Sequence, residues 1–340
     1  MKNYFRYLIP FFAAAVAISA AGGYHLIKKI SIPGDYEWDY LTADSDGRRL
    51  YVSHDKEVVV LDLDTHAILG KIPGEDVHGI AVVKELGRGY ISATDPGSAI
   101  VFDLKTFAVI TKVTVGGDPN AIFYDNKTKR IFTIDRDSKR VSAIDPKTNK
   151  VVGTVESLGG RTEHAVSDDK GHIFLNMQDL GTLLRIDAQM LKVTDTWQLA
   201  PCAQPSSMDM DRAHNRVFIG CRSGVMTVVD GATGKIVAMQ PIGKGVDATE
   251  FDAGRGLVYF STGADGAMWV FHEDSADKYS LVETVKTQLN SRTMALDRKT
   301  GQAYLPTASF APLPAAEPGK KQPRRGPMVP GSFGLLVVGQ

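Results

Sequence analysis

An all-β fold is what this 340-residue sequence predicts, and three observations carry the prediction. Short apolar runs alternate in steps of two, the breaks between them are turn-forming residues, and the pattern recurs along the chain. The stretch from Arg130 to Val155 shows the first two together. Ile131 and Thr133, Val141 and Ala143, and Val151 and Gly153 are spaced in twos, which places side chains on one face of a strand. The breaks are Asp135-Arg136-Asp137-Ser138-Lys139 and Asp145-Pro146-Lys147-Thr148-Asn149. Asp bonds its own downstream backbone, Pro presets φ, and Asn tolerates the left-handed region. Three strands alone leave an apolar face and two open edges, so further strands must cover them.

The recurrence supplies those strands. An aromatic marks the second strand of each unit at Tyr51, Tyr90, Phe132, Phe174, Phe218, Tyr259 and Tyr304, at intervals of 39, 42, 42, 44, 41 and 45 residues. Seven units of about forty residues are the length of four-stranded propeller blades. The third strand ends in an Asp at Asp62, Asp103, Asp145, Asp187 and Asp230, each the start of an Asx-turn, so no metal is needed to explain it. A fourth strand follows each turn except in the seventh unit, where the chain ends at Gly334 to Gln340. The missing strand is expected from Tyr24 to Ile32, whose pattern resembles Ala108 to Val115. The expected fold is therefore a seven-bladed β-propeller closed by its N-terminal strand in the last blade.

With Tyr-Val-Ser-His at Tyr51 to His54 and Val-Val-Val-Leu-Asp at Val58 to Asp62, the repeat resembles the YncE-like (YVTN-repeat) seven-bladed β-propellers of bacteria. The resemblance runs from about Tyr24 to Gln340. It implies export and the fold, and its motif specifies blades rather than catalysis.

Residues 1–21 read as a signal peptide, with Lys2 and Arg6 ahead of an apolar run from Leu8 to Ile18 and small residues after it. The run is short for a membrane span, so no stable span is expected after processing, and the location is periplasmic or secreted. Residues 22–340 form the domain, with 308–331 a Pro-rich insertion in the seventh unit that contains Gly319-Lys320-Lys321-Gln322-Pro323-Arg324-Arg325. Lys+Arg and Asp+Glu both number 39, so no net field draws nucleic acid or an acidic membrane. A monomer is expected. The two cysteines, Cys202 and Cys221, fall at one end of the same hairpin, where a disulfide would fasten a rim loop.

The innermost strand of each blade lines the channel. Counting 12 residues back from the aromatic reaches its entry at Asp39, His78, Asn120, Ser206, Asp247 and Arg292; a shorter turn makes His164 the fourth unit's equivalent. Such a ring either fills the channel with hydrogen-bonded side chains and water or binds a ligand. No cofactor is specified, but a divalent metal could use His78, Asn120, His164 and Asp247, although no spacing such as HExxH accompanies them. Rim loops add His54, Asp95, Arg136, Gln178, Arg222 and Asp265, and Trp38 and Glu163 flank the ring.

No nucleophile elbow, P-loop, dinucleotide fingerprint or CxxCH motif is present. The preferred reading is a non-enzymatic exported scaffold whose polar channel mouth holds a protein, peptide or small ligand. The alternative is a metal-assisted lyase or lactonase at the same mouth. Some propeller enzymes, virginiamycin B lyase and gluconolactonases among them, are similar in placing a metal and a few His, Asn, Asp or Glu side chains there.

Overall fold

The computed structural model describes residues 23–313 and 325–340. The expected signal segment lies outside them. Among the described residues there are 26 strands and a single turn of 3₁₀ helix, Lys84–Leu86. The chain is an all-β propeller. Its strands pair antiparallel with their neighbours, as in the meander Pro119–Asp125, Arg130–Asp135, Arg140–Asp145 and Lys150–Val155.

The inner strands touch in a closed cycle. Leu41–Asp44 meets Ile68–Val83, which meets Pro119–Asp125; Thr162–Ser167, Pro205–Asp211, Val246–Asp252 and Ala295–Asp297 follow, and the last returns to Leu41–Asp44. Seven apolar clusters result, each between two neighbouring units that cover one another. All seven marker aromatics are fully buried. One cluster packs Leu50, Val52, Val59 and Leu61 of the first unit against Tyr304, Leu335 and Val337 of the last. Burying a side chain of this size contributes about 1.5–3 kcal/mol.

The expectation of seven blades is corrected: the strands form six sheets, five of four strands and one of six. The first two units share the large sheet because Arg49–Asp62 and Ile68–Val83 run on as single long strands. The cause is short breaks in the sequence. Val141 follows the marker Phe132 by nine residues in the third unit, whereas Val58 follows Tyr51 by seven in the first, across Ser53-His54-Asp55-Lys56-Glu57. Left-handed φ angles at Asp55 (53°) and Asp76 (49°) bend the two long strands without ending them.

The N-terminal strand His25–Ser31 pairs antiparallel with Gly334–Gly339, from His25 opposite Gly339 to Ser31 opposite Gly334. Closure therefore occurs within the last sheet, whose order is His25–Ser31, Gly334–Gly339, Gln302–Thr307, Ala295–Asp297. Tyr24 locks its start, its hydroxyl 2.8 Å from that of Tyr259. The outer edge it presents is mostly exposed and carries Lys28 and Lys29, charges that discourage pairing with another chain.

The repeated Asp residues act as the turn chemistry requires. Asp62, Asp103 and Asp230 each accept from the backbone N–H groups two and three residues on, at 2.7–3.0 Å. Cys202 and Cys221 are joined by a disulfide. No helix among the described residues is long and apolar enough to cross a membrane.

Candidate functional site

The backbone aims the ring residues into the channel by the same device in several units. The residue two positions before the ring is left-handed at Asp76, Asp118, Gln204, Gly245 and Asn290, with φ of 49°, 51°, 55°, 69° and 70°. Asp, Asn and Gly tolerate this conformation best. Register shifts follow between Val77 and Ile80, Pro119 and Ile122, Thr162 and Ala165, Pro205 and Ser207, and Val246 and Ala248. A bulge leaves one residue out of the ladder and redirects its side chain. Buried hydroxyls tie the freed backbone: Ser53 accepts from the Asp39 N–H at 3.1 Å, and Ser92 accepts from that of Gly79 at 2.9 Å.

The mouth opens as a cavity of about 810 Å³. Four ring residues, Asp39, Asn120, Asp247 and Arg292, line it, as do Glu163 and the rim residues Arg136, Gln178 and Arg222. The Pro-rich insertion reaches it from above. Arg325 stacks over Phe310 and Trp38, its guanidinium 4.4 and 5.2 Å from the ring centroids, and pairs with Glu37. Lys320 to Arg324 lie outside the described residues.

His78 does not face the cavity as a free base. Its Nδ1 donates to Asp39 Oδ2 at 2.6 Å, and its Nε2 lies 3.0 Å from Thr94 Oγ1 and 3.4 Å from Asp76. The Thr94 hydroxyl gives its single proton to Asp118 at 3.1 Å, so it accepts from Nε2. Both ring nitrogens therefore carry protons. Burial opposes that charge, but the hydrogen bonds and charges of Asp39 and Asp76 overcome it and raise His78 to about 9. For Asp39, burial is likewise outweighed by His78 and Arg292, which hold it at about 2. Asp118 is gripped in turn by Arg136 at 2.8 and 3.1 Å.

The other half of the mouth combines one close ion pair with several longer ones. Arg222 pairs with Asp247 at 2.5 Å and lies 3.7 Å from Glu163. Arg292 sits 3.5 Å from Asp39 and 3.4 Å from Asp247, and it donates to the Trp38 carbonyl at 3.2 Å. Burial, with the charge of Asp247, pushes the Glu163 carboxyl up to about 7 against the pull of three arginines.

The remaining predicted residues fall elsewhere. His164 lies deeper, lining a second cavity of about 310 Å³ toward the far end of the channel, and burial lowers it to about 4. Tyr40 and Asp247 border both cavities. Tyr40 follows the ring where other units carry Gly79, Ala121, Ala165, Ser207, Ala248 or Thr293, and its hydroxyl donates to Asn120 at 2.9 Å. Ser206 is buried and spends its proton on the Val246 carbonyl at 2.6 Å. His54 stacks on Phe333 at 4.1 Å, and Trp38 packs between Phe310 and Phe333; both are core residues. Asp265 ties down the Lys244 N–H at 2.6 Å, and neither it nor Asp95 lines the cavity.

The four residues considered for a metal, His78, Asn120, His164 and Asp247, are not brought together: both ring nitrogens of His78 are engaged, by Asp39 and by Thr94, and His164 lines the deeper cavity rather than the mouth. Among the described residues, the one group of three His, Cys, Asp or Glu side chains with ligand atoms within 4.8 Å of one another is Asp211, His214 and Glu273, away from the mouth.

Glu37, Arg161, Gln204 and Asn290 also line the mouth and were not expected from the sequence. Three of them stand two residues before a ring position, so the signal was present in the polar residues that enter each inner strand.

No protein-family model matches the chain, and no curated protein matches it in sequence. Solved structures do match in fold. A chain of Kuenenia stuttgartiensis hydrazine synthase is 15% identical with a TM-score of 0.70, over 82% of this chain and 94% of that one. A chain of the mitotic checkpoint complex is 11% identical with a TM-score of 0.72, over 89% and 95%. At this identity the likeness defines a β-propeller and nothing finer.

Proposed function

We propose that the protein is an exported binding scaffold of the YncE-like kind, presenting the polar mouth of its channel to a small ligand or a peptide. The observation that carries the reading is the mouth itself, about 810 Å³ and lined by charged and amide side chains from several units. That volume suits a small molecule. In the same reading the six-stranded sheet works as two blades bent at Asp55 and Asp76, so that seven repeats surround one ring. Export is supported by the disulfide, which persists in oxidising compartments, and by the pattern of residues 1–21. The scaffold is favoured over a metal-assisted lyase because both ring nitrogens of His78 are already engaged, by Asp39 at 2.6 Å and Thr94 at 3.0 Å, which leaves neither directed at the mouth.

A thermal-shift screen of the purified protein against small polar molecules tests the reading. A ligand that binds only the folded state raises the midpoint in a saturable way. The rise should vanish in Arg222→Ala and survive in Arg212→Ala, which alters the far cavity. No rise across the set, or equal rises in both variants, would remove the mouth as a binding site.

A further inference from the structure

We propose that the mouth receives a small molecule carrying carboxylates at both ends, one held by Arg292 and the other by Gln178 and Glu163. This rests on the binding-scaffold reading and names its ligand. Arg292 belongs to the seventh unit and Gln178 and Glu163 to the fourth, so the two holds come from separate walls of the same cavity. Each of the three has a polar atom that is shielded from solvent yet lacks a hydrogen-bond partner among the described residues: Arg292 Nη1, Gln178 Nε2 and Glu163 Oε2.

Their chemistry selects the ligand. A guanidinium nitrogen and an amide –NH₂ only donate. Burial beside Asp247 raises the Glu163 carboxyl to about 7 against Arg136, Arg161 and Arg222, with its Oε2 3.5 Å from Arg161 Nε; in its protonated form it donates as well. Three donors without acceptors call for a ligand that supplies oxygen acceptors. The charge agrees, since five arginines and four carboxylates line the cavity, a surplus that grows when Glu163 is protonated. Arg292 keeps Nη1 for a ligand because its donation to the Trp38 carbonyl uses Nη2 and its carboxylate neighbours, at 3.4 and 3.5 Å, lie against Nε and Nη2. A guanidinium matches a carboxylate in plane and in fork geometry. On the opposite wall, a neutral carboxyl and an amide can share one carboxylate without opposing its charge.

Titration calorimetry with adipate, its diamide, 1,6-diaminohexane and inorganic phosphate tests the proposal on the full chain. Adipate should bind and the diamine should not. Arg292→Met and Gln178→Leu should each weaken adipate at least about tenfold, the usual worth of a hydrogen bond to a charged group. Wild-type affinity should fall as pH rises through 7, while Glu163→Gln, isosteric and still a donor, should bind without that fall. Binding of the diamide, diamine or phosphate in preference to adipate, with loss in the same variants, would overturn the dicarboxylate and leave the scaffold standing. Absence of all binding would overturn both. Should Arg292→Met fail to fold, the pH profiles of wild type and Glu163→Gln decide the matter, and identical profiles would sink the proposal.

Discussion

Replacing His78 with Gln removes a buried positive charge while keeping a donor for Asp39, and the loss should depend on pH in a defined direction. A rise of the imidazole from 6.5 to about 9 corresponds to about 3 kcal/mol. Seen from the other end, the fall of Asp39 from 3.8 to about 2 corresponds to about 2 kcal/mol. These describe one interaction and are not added; the His78 figure is larger because Asp76 contributes too, and it is the one the substitution removes. The side chains are only 12% and 18% exposed, so solvent screens the pair little. Because the folded-state value lies above the unfolded one, the stabilisation is complete below pH 6.5, declines between 6.5 and 9, and is gone above. Thermal melts at pH 6 should therefore place His78→Gln about 6 °C below wild type, from about 2 °C per kcal/mol for a chain of this size. The gap should close by pH 10. A gap that stays constant from pH 6 to pH 10 would show that His78 contributes packing and not charge, and the argument from Thr94 and Asp118 would fall with it.

Three further outcomes are expected. Reducing the Cys202–Cys221 disulfide, which closes a loop with a sequence separation of 19, should cost about 3 kcal/mol, read as a lower denaturant midpoint with reductant; unchanged midpoints would contradict it. Deleting Tyr24 to Ile32 should remove the outer strand of the last sheet, cost several kcal/mol of a typical total of about 5–15, and promote self-association through Gly334–Gly339; a monomer with an unaltered melt would exclude this closure. Glu163→Gln should leave stability unchanged at pH 4 and raise it by up to about 3 kcal/mol at pH 8, because an acid raised from 4.5 to about 7 makes the folded state lose stability as pH climbs between those values. Equal urea midpoints of wild type and variant at pH 8 would count against a buried, strained carboxylate.

Much of the fold was legible because a propeller writes each structural need seven times. Tyr51 through Tyr304 had to be large and buried in every unit, and Asp62, Asp103 and Asp230 had to start the same turn, so periodicity revealed them. N-terminal closure was legible for the same reason, as the one strand missing from the end of the pattern. The joined first and second units were not. The polar break from Ser53 to Glu57 reads as a hairpin turn, and nothing local shows that strand pairing continues across it.

The site was legible in position and illegible in chemistry. The left-handed entry and bulge stand at a fixed distance from the aromatic, so counting back finds Asp39, Asn120, Asp247 and Arg292 on the cavity. What each does depends on partners brought from other units. His78 reads as a potential ligand until Asp39, 39 residues away, and the Thr94–Asp118 pair fix both its protons. Ser206 reads as a channel hydroxyl until the Val246 carbonyl claims it.

The two halves of the ring therefore differ in kind, and the difference bears on function. From Asp39 through His78 to Asp118 and Arg136, hydrogen bonds of 2.6–3.1 Å satisfy the groups among themselves, which is how a buried polar network makes a rigid wall. At Glu163, Gln178 and Arg292 polar atoms lack a partner among the described residues, so this side of the mouth has donors to offer to water or to a ligand. On the proposed reading the ligand lies on the side of Glu163, Gln178 and Arg292, and the His78 network is the frame that holds Asp39 ionised beside Arg292.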